Sequence, residues 1–133
     1  LSQLESFIHE RSRLAQSYKD VLSNWPQLTL PSAPAFPHRH SWHIFTALLN
    51  PDHCHLSRDE FIKAMRDHNI GIGLHYDSCY LSDYYRSHYR FSEGMCPIAE
   101  DYAKRIVSLP LFPGMTQNDV DRVIETMIKI FRS

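Results

Sequence analysis

The sequence predicts an α+β fold, an α/β sandwich in which a small, mostly antiparallel sheet carries helices on one face. Three observations lead there. Apolar residues recur at three- and four-residue spacing near both ends of the chain, which is the pattern of amphipathic helices. Between them lie short aromatic-apolar or alternating stretches, at 28–30, 41–49 and 70–76, which read as strands. The chain of 133 residues is 43% hydrophobic and 22% charged, without an internal repeat or low-complexity tract, so residues 1–133 are expected to form one domain around one core.

Taken in order, Leu4, Phe7, Ile8, Leu14, Ala15, Tyr18, Val21, Leu22 and Trp25 line one side of a long first helix, with charged residues between them. Pro26 ends it. Leu28–Leu30 reads as a short strand, and Pro31, Pro34 and Pro37 make the next segment an extended connector. Ser41 to Leu49 is expected as a buried strand closed by the turn Asn50-Pro51-Asp52. Ser57-Arg58-Asp59-Glu60 has capping-box spacing and opens a helix to about His68 with Phe61, Ile62 and Met65 inward. Ile70, Ile72, Leu74 and Tyr76 then alternate with Gly71, Gly73 and His75, predicting a strand over 70–76. A tyrosine-rich loop follows, with a short helix near 82–88. Pro97 suits the first position of the next helix, whose apolar side is Ala99, Tyr102, Ala103 and Ile106. Ser108 to Pro113 is expected as an extended piece broken by two prolines. Thr116 to Asp119 caps a last helix with the stripe Val120, Val123, Ile124, Met127, Ile128 and Phe131.

A formal net charge of −1 leaves no basic footprint for nucleic acid or an anionic membrane surface. No apolar run has the length of a transmembrane helix. Three cysteines without repeated spacing argue against a disulfide framework, and a cytoplasmic setting is expected. The chain opens directly inside a helical pattern, as an excised domain or a trimmed chain would.

His75 is the first candidate for chemistry. It shares its predicted strand face with Gly71 and Gly73, where missing side chains admit a close neighbour, and an imidazole can donate or accept a hydrogen bond near neutral pH. Packing alone also explains strand glycines, and both readings stand at this point. The pairs His38/His40 and His53/His55 have the alternate spacing of a metal chelate but no second ligand pair, so surface histidines are the plainer reading and no metal is expected. Neither a nucleophile elbow nor a phosphate-cradling loop is present. Lys19, Lys63, Lys104 and Lys129 fall on the polar sides of their helices, and none reads as the desolvated amine of a Schiff base.

Three stretches resemble the C-terminal part of the DegT/DnrJ-type sugar aminotransferases: Ser41-Trp42-His43-Ile44-Phe45, Gly71-Ile72-Gly73-Leu74-His75-Tyr76, and Arg105 to Pro113 with Met115-Thr116. Tyr84-Tyr85-Arg86 and Pro97 to Glu100 fall in order between the last two. The resemblance implies the small domain of a fold type I, aspartate-aminotransferase-like enzyme. Such an enzyme uses pyridoxal phosphate to move an amino group, usually from glutamate, to a keto group of a nucleotide-linked sugar. It also implies that the cofactor lysine, its carboxylate partner and the phosphate cup belong to a separate large domain, leaving no catalytic or cofactor-binding residue in this chain. A homodimer is implied, with the small domain forming part of the active-site entrance. His75 and Tyr76 match the family's His-Tyr pair at that wall, and His43 matches a recurrent position on the neighbouring strand; all three are carried over as substrate-binding residues. Many members follow the pair with Pro-Leu-His, whereas this chain has Asp77-Ser78-Cys79-Tyr80. The overall likeness is nearest to enzymes aminating the 4-keto pentose of a UDP-sugar for lipid A modification of lipopolysaccharide. The alternative is a stand-alone module that binds a nucleotide-sugar or a protein without catalysis.

Overall fold

The computed structural model describes residues 2–132. Helix α1 (Leu4–Leu22) leads into β1 (Leu28–Thr29), β2 (Phe45–Leu49) and α2 (Arg58–Asp67). A 3-10 turn at Cys79–Leu81, α3 (Asp83–Tyr89), α4 (Pro97–Arg105), β3 (Ile106–Leu109) and α5 (Gln117–Arg132) complete the order. The three strands form one antiparallel sheet, β1-β2-β3, with Leu28 opposite Leu49 and Phe45 opposite Leu109. The α+β expectation holds.

Side chains alternate across a strand, so Phe45, Ala47, Leu49, Val107 and Leu109 share one face of the sheet, and all five are buried. That face meets the apolar stripes of the helices. Tyr18 of α1 contacts Phe45 at 5.1 Å between ring centroids, and Phe61 of α2 stacks on Phe131 of α5 at 5.4 Å. Leu14, Tyr18 and Leu22 of α1, with Val120 and Met127 of α5, are wholly enclosed. Burial of this kind contributes roughly 1.5–3 kcal/mol per large apolar side chain. Thr46 and Ser108 pair on the opposite face, which carries the candidate site.

The capping residues behave as their spacing predicts. The Ser57 hydroxyl accepts from the Glu60 backbone N–H while the Glu60 carboxylate accepts from the Ser57 backbone at 2.8 Å. Thr116 and Asp119 repeat the arrangement before α5, where the Asp119 carboxylate accepts from the Thr116 backbone N–H at 2.8 Å and from its hydroxyl at 2.7 Å.

Four boundaries differ from the sequence expectation. Helix α1 stops at Leu22 rather than at Trp25, because Pro26 restricts the residue before it and a turn closes between Leu22 and Trp25. β2 begins at Phe45, not Ser41, since Trp42 takes a left-handed backbone (φ 46°) that no strand can continue through. β3 starts at Ile106, directly at the end of α4, and stops at Leu109 before Pro110. Residues 70–76 form no strand. Their only sheet pairing is one bridge, Gly73 to Ser108, with reciprocal backbone bonds of 3.0 and 2.9 Å. In that antiparallel register the next hydrogen-bonded pair on one side would join Gly71 to residue 110, a proline without an N–H, and on the other side the Ile106 N–H is already taken by the Tyr102 carbonyl, so the pairing stops at one bridge.

Candidate functional site

His75 reaches the sheet through Gly73. Bridging to Ser108 brings the Gly73 backbone against β3, and the segment then carries His75 back over Ser108. The His75 Nδ1 lies 2.9 Å from the Ser108 Oγ. A Cβ on Gly73 would stand 2.8 Å from the imidazole Cε1, closer than real Cβ atoms come, and a tight 3.2 Å from Nδ1. The absent side chain at Gly73 is therefore space that the imidazole fills, whereas a Cβ at Gly71 would meet nothing within 4 Å. Ser108 is buried and His75 half-buried.

Tyr76 contacts the His75 ring edge-on, with centroids 4.9 Å apart, and is itself 75% exposed. The shared strand face expected for Ile70, Ile72, Leu74 and Tyr76 does not form: Ile70 and Ile72 are buried, whereas Tyr76 lies past the last pairing to the sheet and is exposed. His43 is exposed on the run into β2, beyond the Phe45–Leu109 end of the ladder. It shares no hydrogen bond or ring contact with His75 or Tyr76 among the described residues. The structure thus joins His75 to Tyr76 by a ring contact and gives His43 no such link to either among the described residues.

Two anchors hold the segment after the pair. The Arg58 guanidinium, at the start of α2, donates to the Asp77 carboxylate at 2.8 Å and to the Ala103 carbonyl. Glu100, in α4, accepts from the Tyr80 hydroxyl, from the Gly94 N–H at 2.8 Å and from the Cys96 N–H at 3.4 Å. These donors, the Tyr80 hydroxyl first, hold the Glu100 carboxyl below its usual range. Burial, followed by the hydrogen bond to Glu100, pushes Tyr80 up to about 12. A cavity of about 460 Å³ opens beside this network, lined by Arg58, Asp77, Ser78, Glu93, Glu100 and Lys104 among others; neither His75 nor Tyr76 lines it. Past it, Tyr84, Tyr85, Tyr89 and Phe91 pack ring against ring, three of them largely exposed.

The residues sequence reasoning missed are Ser108 and Glu100. Ser108 stood in an apolar run and Glu100 in an amphipathic helix, and neither carries a local signal. Their partners lie 33 and 20 residues away.

The lysines do not fit a Schiff-base cofactor. Lys19 lies over the Trp42 ring at 4.6 Å in a cation–π contact, Lys63 pairs with Asp67 at 2.6 Å, and Lys104 and Lys129 are exposed. Among the described residues, no three His, Cys, Asp or Glu side chains are grouped to hold a metal, and no helix is long and apolar enough to cross a membrane. Cys54, Cys79 and Cys96 are free thiols.

The model of the DegT/DnrJ/EryC1/StrS aminotransferase family matches residues 1–128. The chain belongs to that family. Among solved structures, DesV from S. venezuelae is 29% identical with a TM-score of 0.84, covering 99% of this chain and 34% of its own. PseC from Helicobacter pylori, an aminotransferase involved in the biosynthesis of pseudoaminic acid, is 18% identical with a TM-score of 0.85 over 98% of this chain and 34% of its own. Spr1654 from Streptococcus pneumoniae, in its PLP form, is 18% identical with a TM-score of 0.87 over 98% and 33%. The last two show a shared fold. The chain spans about a third of the length of these structures. The DegT/DnrJ/EryC1/StrS match takes in the His75–Tyr76 pair, Ser108, Arg58 and Glu100 alike.

Proposed function

We propose that residues 1–133 are the C-terminal small domain of a longer pyridoxal-phosphate-dependent aminotransferase. That enzyme moves an amino group from glutamate to a keto group of a nucleotide-linked sugar. The family match along residues 1–128 carries this reading. It is supported by the likeness to DesV over nearly all of this chain and a third of that one, and by the PLP form of Spr1654. Pyridoxal phosphate, when bound, supplies the electron sink and the amino carrier. Because none of the described lysines is enclosed, residues outside this chain would hold the cofactor, and the chain alone would not transfer amino groups.

This chain's own contribution is on the substrate side. His75, braced on Ser108, presents its second ring nitrogen without a partner among the described residues. Tyr76 offers an exposed ring and hydroxyl beside it. His43, exposed on the run into β2, would meet the substrate from that loop. The pair lies outside the 460 Å³ cavity and Tyr76 is exposed, as befits one wall of a site whose other wall belongs to the rest of a homodimeric, cytoplasmic enzyme. Within nucleotide-linked sugars we assign the 4-keto pentose of a UDP-sugar, on the likeness carried by Ser41–Phe45 and Tyr84-Tyr85-Arg86.

The test supplies the longer polypeptide carrying this chain with nitrogen-15 glutamate and UDP-linked 4-keto sugars, and follows the label by mass spectrometry. Label in the UDP-pentose is expected. Label only in hexoses would remove the pentose assignment, and no labelled sugar at all would contradict the function.

A further inference from the structure

We propose that Ser108 is a positioning residue that fixes the ring orientation and protonation pattern of His75, so that its free nitrogen, Nε2, acts as a hydrogen-bond donor. This rests on the substrate-side reading of His75. Ser108 is 4% exposed, and His75 Nδ1 is the sole hydrogen-bond partner of its Oγ among the described residues, at 2.9 Å. A hydroxyl carries one proton, and a buried donor left unpaired is costly. The Ser108 proton has one acceptor within reach, Nδ1. If Nδ1 carried the proton instead, two donors would face each other or the hydroxyl proton would be buried without an acceptor.

Ser108 therefore donates, Nδ1 accepts, and the neutral imidazole keeps its proton on Nε2. The backbone around the pair is rigid, because Ser108 bonds to Gly73 through both its N–H and its carbonyl. Gly73 supplies the remaining requirement by leaving its Cβ position to the ring. A ring held in this way offers one N–H to an acceptor oxygen of the bound keto sugar. Substrates presenting a donor at that point are disfavoured, which makes Ser108 a determinant of what His75 accepts.

Two measurements test this. Long-range nitrogen-15 to proton correlation spectra of the 133-residue chain, recorded above the imidazole titration, report which ring nitrogen of His75 is protonated. A bare Nδ1, shifted by an accepted hydrogen bond that Ser108→Ala removes, is expected; a protonated Nδ1 in the unsubstituted chain would overturn the proposal. In the longer polypeptide, Ser108→Ala is expected to raise KM for the keto sugar about 3- to 10-fold, the loss of one hydrogen bond. The same change added to His75→Ala should have no further effect, because Ser108 acts only through the ring. Full additivity in that double variant would contradict the proposal. Gly73→Ala leaves Ser108 intact but displaces the ring, and should reproduce the KM effect. The spectra read this chain independently of any amino transfer, so loss of the transferase reading and loss of the Ser108 role give different results.

Discussion

Tyr18 ties the first helix to the end of β3 with a single hydroxyl. Its ring is wholly buried against Phe45, and its hydroxyl donates to the Pro110 carbonyl at 2.9 Å. Burial, with a smaller contribution from Asp119, raises the phenol well above its ordinary value, so it stays a donor at all working pH. Tyr18→Phe keeps the packing and orphans the carbonyl, and should lower unfolding free energy by about 1–2 kcal/mol in urea titrations. An unchanged midpoint would show that the bond contributes nothing. Glu100 gives a pH-dependent counterpart. Folding lowers its pKa, so its ionised form adds stability above the ordinary carboxylate value, and that stability is lost as pH falls through the lowered one. Amide hydrogen exchange at Gly94 and Cys96 should accelerate over that acid interval, relative to the intrinsic rate. In Glu100→Gln the acid step should vanish. The close approach at His75 was legible because Gly73 precedes it in the alternating pattern, whereas Ser108 was not. A serine in an apolar run has no meaning until pairing over 33 residues sets it beneath an imidazole.

At the scale of elements, helix starts were the most legible features, because a cap is a local pattern read within four residues. Ser57 and Thr116 both make their predicted bonds. Ser57→Ala removes the α2 box and should cost about 1 kcal/mol, measured as a lower thermal or chemical midpoint. Glu60 in the same box is held below its usual pKa by Ser57, so the cap's contribution also fades in acid. Strand ends were less legible. Alternation at 70–76 correctly buries Ile70 and Ile72, but sheet membership depends on the partner, and Pro110 denies the next bond. Tyr76 consequently lies off the face it was expected to share with Ile70 and Ile72, and is exposed.

Across the whole molecule, the helices and core follow from apolar spacing, while the site lies on the face that spacing leaves open. Helices α1, α2 and α5 seal one side of the sheet, and His75, held by Gly73 and Ser108, occupies the other. The four lysines remain outside enclosed surroundings, and on the reading proposed above this chain is a wall of an active site. The central claim is that this wall meets the substrate through His75. The direct measurement is steady-state amino transfer by the longer polypeptide with His75→Ala, alongside its cofactor absorbance. Absorbance should be unchanged while kcat/KM for the keto sugar falls at least about tenfold, the loss of an interaction worth about 1.4 kcal/mol. An unchanged kcat/KM with intact absorbance would contradict the claim and leave His75 a packing residue.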